Sequence, residues 1–289
     1  MASNITSFST LRARSYVFRL PLFTRIVLLV IIAAWFAGLQ HSWDVRHWGA
    51  LIPDQLSFTS CKLPLPARPL STGALCTHCI VAIAYRMNTF PFVHVNLIHT
   101  IMNLAALAPL MERFEAEFGT LTSIALFIGP LSTIPAILYT LIERFLFKGN
   151  TEVMGASVWV FLLLGIEAIR TYKTNPHLTI ATYSIPTWTT PLILILVVTA
   201  LVPGTSLLGH LCGVLVGYLF GLGYLKFLSP PEKALRWIES KLNLLGRLPH
   251  YVSVDQKTYG RFGVLPTNTH AGGGSAPIAL VGTTQRLGP

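Results

Sequence analysis

The chain has 289 residues, of which 52% are apolar and only 11% charged, and its mean hydropathy is +0.60. A soluble globular domain carries roughly 25% charged residues, so these values exclude a disordered chain, argue against a soluble enzyme and put an integral membrane protein first. The net charge of +10 does not read as nucleic-acid binding, because the Lys and Arg residues sit at the ends of apolar blocks and no dense basic run is interleaved with aromatics.

In chain order, six stretches approach the ~20 apolar residues that a spanning helix needs. They cover about 22–39, 93–111, 121–142, 154–169, 190–202 and 206–228. No small-x-small cleavage site follows the first, which reads as a retained helix. The fifth is short and bracketed by Pro191 and Pro203. With the amino end inside, fifteen of the 21 basic residues fall on inner segments and six on outer ones, which predicts cytosolic termini. The expected organisation is a cytosolic segment 1–20, an all-α, polytopic, six-helix membrane domain 21–228, and a cytosolic, largely disordered tail 229–289. In that tail Pro230 and Pro231 stop the sixth helix. Residues 232–245 form an amphipathic surface helix with Leu235, Ile238, Leu242 and Leu245 on one side, and disorder sets in after Pro249.

The loop over 40–92 is long and holds Trp43, Trp48, Cys61, Cys76 and Cys79. A lone Cys-x-x-Cys is a weak zinc signal, and a disulfide suits a lumenal loop better. No metal or cofactor is predicted. Cys212 reads as inert.

Polar groups inside spans are costly and mark function. His99 and Asn103, four apart, share one helical face and can both donate to an anionic oxygen. His94 falls off that face and belongs to the preceding loop. Gly155-Ala156-Ser157 opens the fourth span, where free backbone N–H groups can meet a developing oxyanion. Gly213, Gly217 and Gly221 recur every four residues and form a flat stripe for close helix approach, with His210 three before Gly213. Each feature alone has a structural explanation: helix glue, a cap, a buried His. Together they fit one mechanism, with Ser157 as nucleophile, His210 as base, and His99, Asn103 and the Ser157 N–H stabilising the oxyanion. No acid completes a triad, because Glu167 lies ten residues, or about 15 Å, beyond Ser157 on a straight helix. That leaves a Ser–His dyad.

These motifs resemble the rhomboid intramembrane serine proteases. The resemblance covers about residues 20–228. It rests on Gly155, Ser157, His210, Gly213 and Gly217, on His99 and Asn103 with the earlier His94, on Tyr85-Arg86 where the family has Trp-Arg, and on Glu115 and Gly119 at the end of the second helix. It implies a serine endopeptidase without cofactor that cleaves transmembrane protein substrates in the bilayer, with the fifth helix and its loop near Trp188 as lateral gate. Tyr85, Arg86, Glu115, Gly155, Phe161, Gly213 and Gly217 are implied as structural support. Two positions depart from the family pattern. Val158 stands where Gly usually follows the serine, expected to narrow the site or shift the oxyanion N–H. Phe161 stands where Tyr often stacks under the base. The chain is similar to the fungal Golgi rhomboids, which implies a Golgi or endoplasmic reticulum membrane. Tyr259–Leu265 loosely resembles a box that recruits a cytosolic AAA ATPase. A non-catalytic, client-binding rhomboid-fold protein that hands clients to that ATPase is the alternative function.

Overall fold

The computed structural model describes residues 19–40, 44–56, 85–180, 182–202 and 204–257. Residues 1–18, Trp43, Cys61, Cys76, Cys79 and Tyr259–Leu265 lie outside the described residues.

Helix α1 (Leu22–Ala37) begins after Pro21, which supplies no side-chain cap. The cap comes from Glu115, a fully buried residue far along the chain. Its carboxylate accepts from the Phe23 and Thr24 N–H groups at 2.9 and 2.7 Å, and from the Thr24 and Thr120 hydroxyls at 2.8 and 2.7 Å. An anion satisfies the orphan amides and the positive end of the helix dipole. Four donors, in turn, compensate the burial of its charge.

A short helix α2 (Val45–Gly49) and a helical stretch at 85–89 precede α3 (Leu97–Phe118). Asn96 caps α3 by accepting from His99 N–H at 2.8 Å. That cap starts the helix at Leu97, four residues later than the apolar count suggested. Gly119 ends it with φ +89. Helix α4 (Thr120–Phe127), α5 (Pro130–Leu141) and a π-helical turn (Ile142–Leu146) follow as one run. Among the described residues, Thr120–Leu146 is the one helical run long and apolar enough to cross a bilayer unaided.

Helix α6 (Ser157–Thr174) leads into a hairpin of β1 (His177–Ile180) and β2 (Tyr183–Pro186), in register from His177 opposite Pro186 to Ile180 opposite Tyr183. The expected all-α fold therefore carries one small antiparallel β-hairpin. Helix α7 (Thr190–Leu201) and α8 (Leu207–Leu222) complete the bundle. Gly223, at φ +100, terminates α8 in a left-handed cap, so the helix stops well before Pro230 and Pro231. The chain then turns by 90° toward α9 (Glu232–Leu242).

Helix α9 buries Leu235 and Glu239 and exposes Leu242, and left-handed Asn243 ends it, so that Leu245, also exposed, lies on a separate short turn rather than on the one helix expected over 232–245. The four apolar residues expected on one surface-facing side are thus divided between the protein body and the outside. Order also extends past Pro249. Leu22 N–H donates to His250 O at 3.0 Å, Thr120 N–H donates to Val252 O at 2.9 Å, and Val252 N–H donates to the Thr120 hydroxyl at 2.9 Å. Glu239 accepts from the Tyr251 hydroxyl at 2.7 Å and from Val254 N–H at 2.9 Å. These backbone and carboxylate contacts hold 250–254, where composition pointed to disorder.

The core centres on Trp159, fully buried, with Phe92 and Phe127 meeting its ring edge-on at 5.1 and 5.5 Å. Helices α6 and α8 pack most closely. A Cβ on Gly213 would lie 2.5 Å from Val158 O, one on Gly217 would press harder on Leu162 O, and one on Gly221 would lie 3.2 Å from Ile166 O. The step is four residues on both helices, in the same sense, so α6 and α8 run parallel with their backbones in contact. Apolar side chains gain little from one another in lipid, and close backbone packing of this kind supplies the association.

Candidate active site

The turn ahead of Ser157 is fixed along its whole length. Leu51 and Val153 exchange N–H···O bonds at 3.0 Å, Gly155 N–H donates to Phe90 O at 2.9 Å, and Ala156 N–H donates to His94 Nε2 at 3.2 Å. His94 Nδ1 meets the Phe92 carbonyl at 3.2 Å. A carbonyl only accepts and an amide N–H only donates, so His94 is the neutral tautomer protonated at Nδ1. Gly155 has φ +123, and a Cβ there would lie 2.8 Å from His99 Cε1 and 3.6 Å from Asn103 Nδ2. No side chain fits between this turn and α3.

His210 begins the second turn of α8. Ser206 caps that helix by accepting from Gly209 N–H at 3.1 Å. The His210 ring tilts over Phe161 with centroids 4.4 Å apart. Phe161 lies one turn below Ser157 on the same face of α6, so the imidazole sits beside the face that carries the hydroxyl. Ser157, His210, His99 and Asn103 all line one cavity of about 370 Å³. Its remaining walls are mainly apolar, with Met102, Ala106 and Leu110 from α3, Leu194 and Val198 from α7, and Val202 and Thr205 just beyond α7. Three buried nitrogens around it, His99 Nε2, Asn103 Nδ2 and His210 Nδ1, have no hydrogen-bond partner among the described residues. Buried polar atoms without partners are rare in folded proteins and are explained by a role in chemistry or binding.

A sequence model of the Rhomboid domain matches residues 82–227. The rhomboid-type serine protease 2 of Gibberella zeae is 58% identical over the full length of both chains, and that of Podospora anserina 54% identical over the same span. The rhomboid-type serine protease B of Aspergillus fumigatus is 57% identical across 98% of this chain and 96% of its own. The chain belongs to the rhomboid family. It is a serine endopeptidase and a membrane protein of polytopic helical fold.

The other residues singled out in this rhomboid from its sequence are placed as follows. The Tyr85 ring stacks on Trp48 at 5.1 Å, and Arg86 donates to His47 O and Ala50 O at 2.8 and 2.9 Å, holding the segment before α3 together. Val158 is buried in the same apolar core as Trp159 and does not line the cavity. Trp188 stands away from the cavity, at the opposite end of α7, where its ring packs edge-on against Tyr218 at 6.5 Å and its carbonyl accepts from the Tyr218 hydroxyl. Leu194 and Val198 of α7, and Val202 at its C-cap, are the residues beside the cavity. Sequence reasoning underweighted His94, whose off-face spacing hid its reach to the Ser157 turn. It also missed Glu115 as the cap of α1, since no local pattern signals a cap supplied from a distant helix.

Proposed function

We propose that this rhomboid hydrolyses peptide bonds in or near transmembrane segments through a Ser157–His210 dyad. The observation that carries the reading is the single cavity on which a hydroxyl, an imidazole and two further buried donors converge, with three of their nitrogens unpartnered. Among the described residues no Asp or Glu lines that cavity, which supports a dyad over a triad.

His210 takes the proton of Ser157 as the hydroxyl oxygen attacks the scissile carbonyl. The tetrahedral oxyanion accepts hydrogen bonds from His99 and Asn103. Collapse breaks the C–N bond, and His210 returns the proton to the leaving amine. Water then repeats the sequence on the acyl-enzyme and restores the hydroxyl. A substrate helix hides its carbonyls in its own hydrogen bonds and must unwind before attack. The apolar walls from α3 and α7 suit such a segment arriving laterally. Helix α7 buries only Pro191 and Ile195 and is tied at its Trp188 end, so it opens at Val202.

The membrane domain spans about 21–228 with six crossings. The shorter helices α1 and Thr187–Leu201 are apolar enough to serve as two of them. Both termini face the cytosol, in the Golgi or endoplasmic reticulum membrane. The client-handover alternative depends on Tyr259–Leu265, outside the described residues, and the comparisons give it no support.

Cleavage of a model transmembrane substrate and fluorophosphonate labelling test the dyad. Wild type cleaves and labels, Ser157→Ala does neither, and His210→Ala does not cleave. Equal cleavage by all three refutes it.

A further inference from the structure

Helix α7 forms one wall of the cavity, and its two ends are held differently. The turn that starts it, Thr187–Thr189, is bonded to both helices of the glycine seam. Thr187 is buried. Its N–H donates to Pro176 O at 2.9 Å and its hydroxyl to Asn175 O at 2.6 Å, at the C-terminal cap of α6. The neighbouring Trp188 carbonyl accepts from the Tyr218 hydroxyl of α8. Tyr218 is itself set against the seam, since a Cβ on Gly165 of α6 would lie 3.4 Å from its ring carbon Cδ1.

Beyond that joint the attachment changes in kind. Among the described residues, no hydrogen bond joins residues 191–202 to another helix, and the buried Thr199 hydroxyl oxygen has no partner. What holds this stretch is Ile195, packed with Phe161 of α6 and Val214 of α8, with Leu192 and Val198 beside it. Lipid replaces apolar contacts between helices at little cost, whereas a hydrogen bond is directional and fixes position. The joint at Thr187 and Trp188 therefore holds while the end at Val202 is displaced.

We infer that Thr187 and Tyr218 are positioning residues that form a fixed pivot for α7, about which the wall carrying Leu194 and Val198 swings to admit substrate. This rests on the dyad and on lateral entry beside α7. Neither residue lines the cavity. Their bonds set where Leu194 and Val198 come to rest against a bound segment. Without them α7 has to be ordered at the moment of binding, and that cost is taken from affinity. Ser157 and His210 stay on α6 and α8, so the chemical step is untouched. Loss of one such hydrogen bond shifts an equilibrium on the order of fivefold.

The experiment measures kcat and KM on a transmembrane peptide in proteoliposomes, alongside the rate and extent of fluorophosphonate labelling. The small reagent needs the nucleophile but not a seated α7. Tyr218→Phe keeps the ring against Gly165 and loses the bond to Trp188 O. Thr187→Val keeps the shape and the backbone bond and loses the one to Asn175 O. Each raises KM about fivefold, with kcat and labelling within about twofold of wild type. Tyr224→Phe, on an exposed tyrosine, keeps the wild-type KM. A merely structural role would lower the labelled fraction and leave the KM of the labelled enzyme unchanged, and that result overturns the inference. A fall in kcat at constant KM overturns it too. Should Tyr218→Phe fail to fold, Thr187→Val decides by the same criterion. If Ser157→Ala still labels and cleaves, the dyad falls and this inference with it. If Ser157→Ala is inactive while both variants keep the wild-type KM, only the pivot falls.

Discussion

Gly213→Ala tests whether backbone contact between α6 and α8 aligns the active site. The new Cβ would lie 2.5 Å from Val158 O, about 0.9 Å inside ordinary van der Waals contact. The opposing atom is a helix carbonyl, which cannot swing aside as a side chain does. The helices must therefore part by most of that distance next to Ser157 and His210. Overpacking of this kind costs about 1–3 kcal/mol in stability, and a misplacement near 1 Å lowers turnover on the order of 10²-fold. Gly209→Ala is the matched control on the same helix: its nearest neighbour is a methyl of the Val153 side chain at 3.0 Å rather than a helix carbonyl, and a shift of a few tenths of an ångström relieves it. The assay is cleavage of a fluorogenic transmembrane peptide, normalised to folded protein, with thermal unfolding in the same detergent. Gly213→Ala loses about a hundredfold in rate and Gly209→Ala less than about threefold. Equal rates for the two variants, with equal unfolding temperatures, refute the reasoning.

Glu115→Ala leaves two backbone amides and two hydroxyls without their acceptor and lowers stability by about 3 kcal/mol or more; an unfolding midpoint at the wild-type value contradicts this. Asn103→Ala removes one oxyanion donor and lowers kcat about 10²-fold while Ser157 still labels; full turnover removes Asn103 from the mechanism. Tyr251→Phe loosens 250–254 from Glu239 and speeds tryptic cleavage at Arg247. Burial first, and then the Glu239 carboxylate, raise the Tyr251 phenol above its ordinary range. A raised phenol contributes its bond fully below the unfolded value of about 10 and loses it only as pH climbs through the higher folded one. Protection at Arg247 is therefore flat from neutral pH to about 10; a loss of protection below that contradicts the assignment.

The helices and the meeting of Ser157, His210, His99 and Asn103 on one cavity were legible because helical periodicity and a glycine every fourth residue encode faces directly. Helix ends were less so: Gly223 and Asn96 set them through backbone geometry and side-chain capping, which hydropathy does not record. The hairpin at 177–186 was invisible because ten residues between two spans, most of them polar or β-branched, look like any loop. The order of 250–254 was invisible for a different reason. It comes from Leu22, Thr120 and Glu239, which reach across more than a hundred residues in two of the three cases, and composition reports only on neighbours. The placement of Trp188 relative to the cavity was not legible because sequence gives an aromatic at a helix end without saying which end faces the site.

The glycine contact also decides which part of this rhomboid is free to move. Val158, Leu162 and Ile166 present carbonyls, and Gly213, Gly217 and Gly221 present bare Cα atoms, at one common pitch. Sliding either helix by a single residue would drive a side chain into that seam, so the pair has one seat and behaves as a rigid post. If substrate enters beside α7 as proposed, a covalent staple between α7 and α3 silences the enzyme while one between α6 and α8 leaves it running.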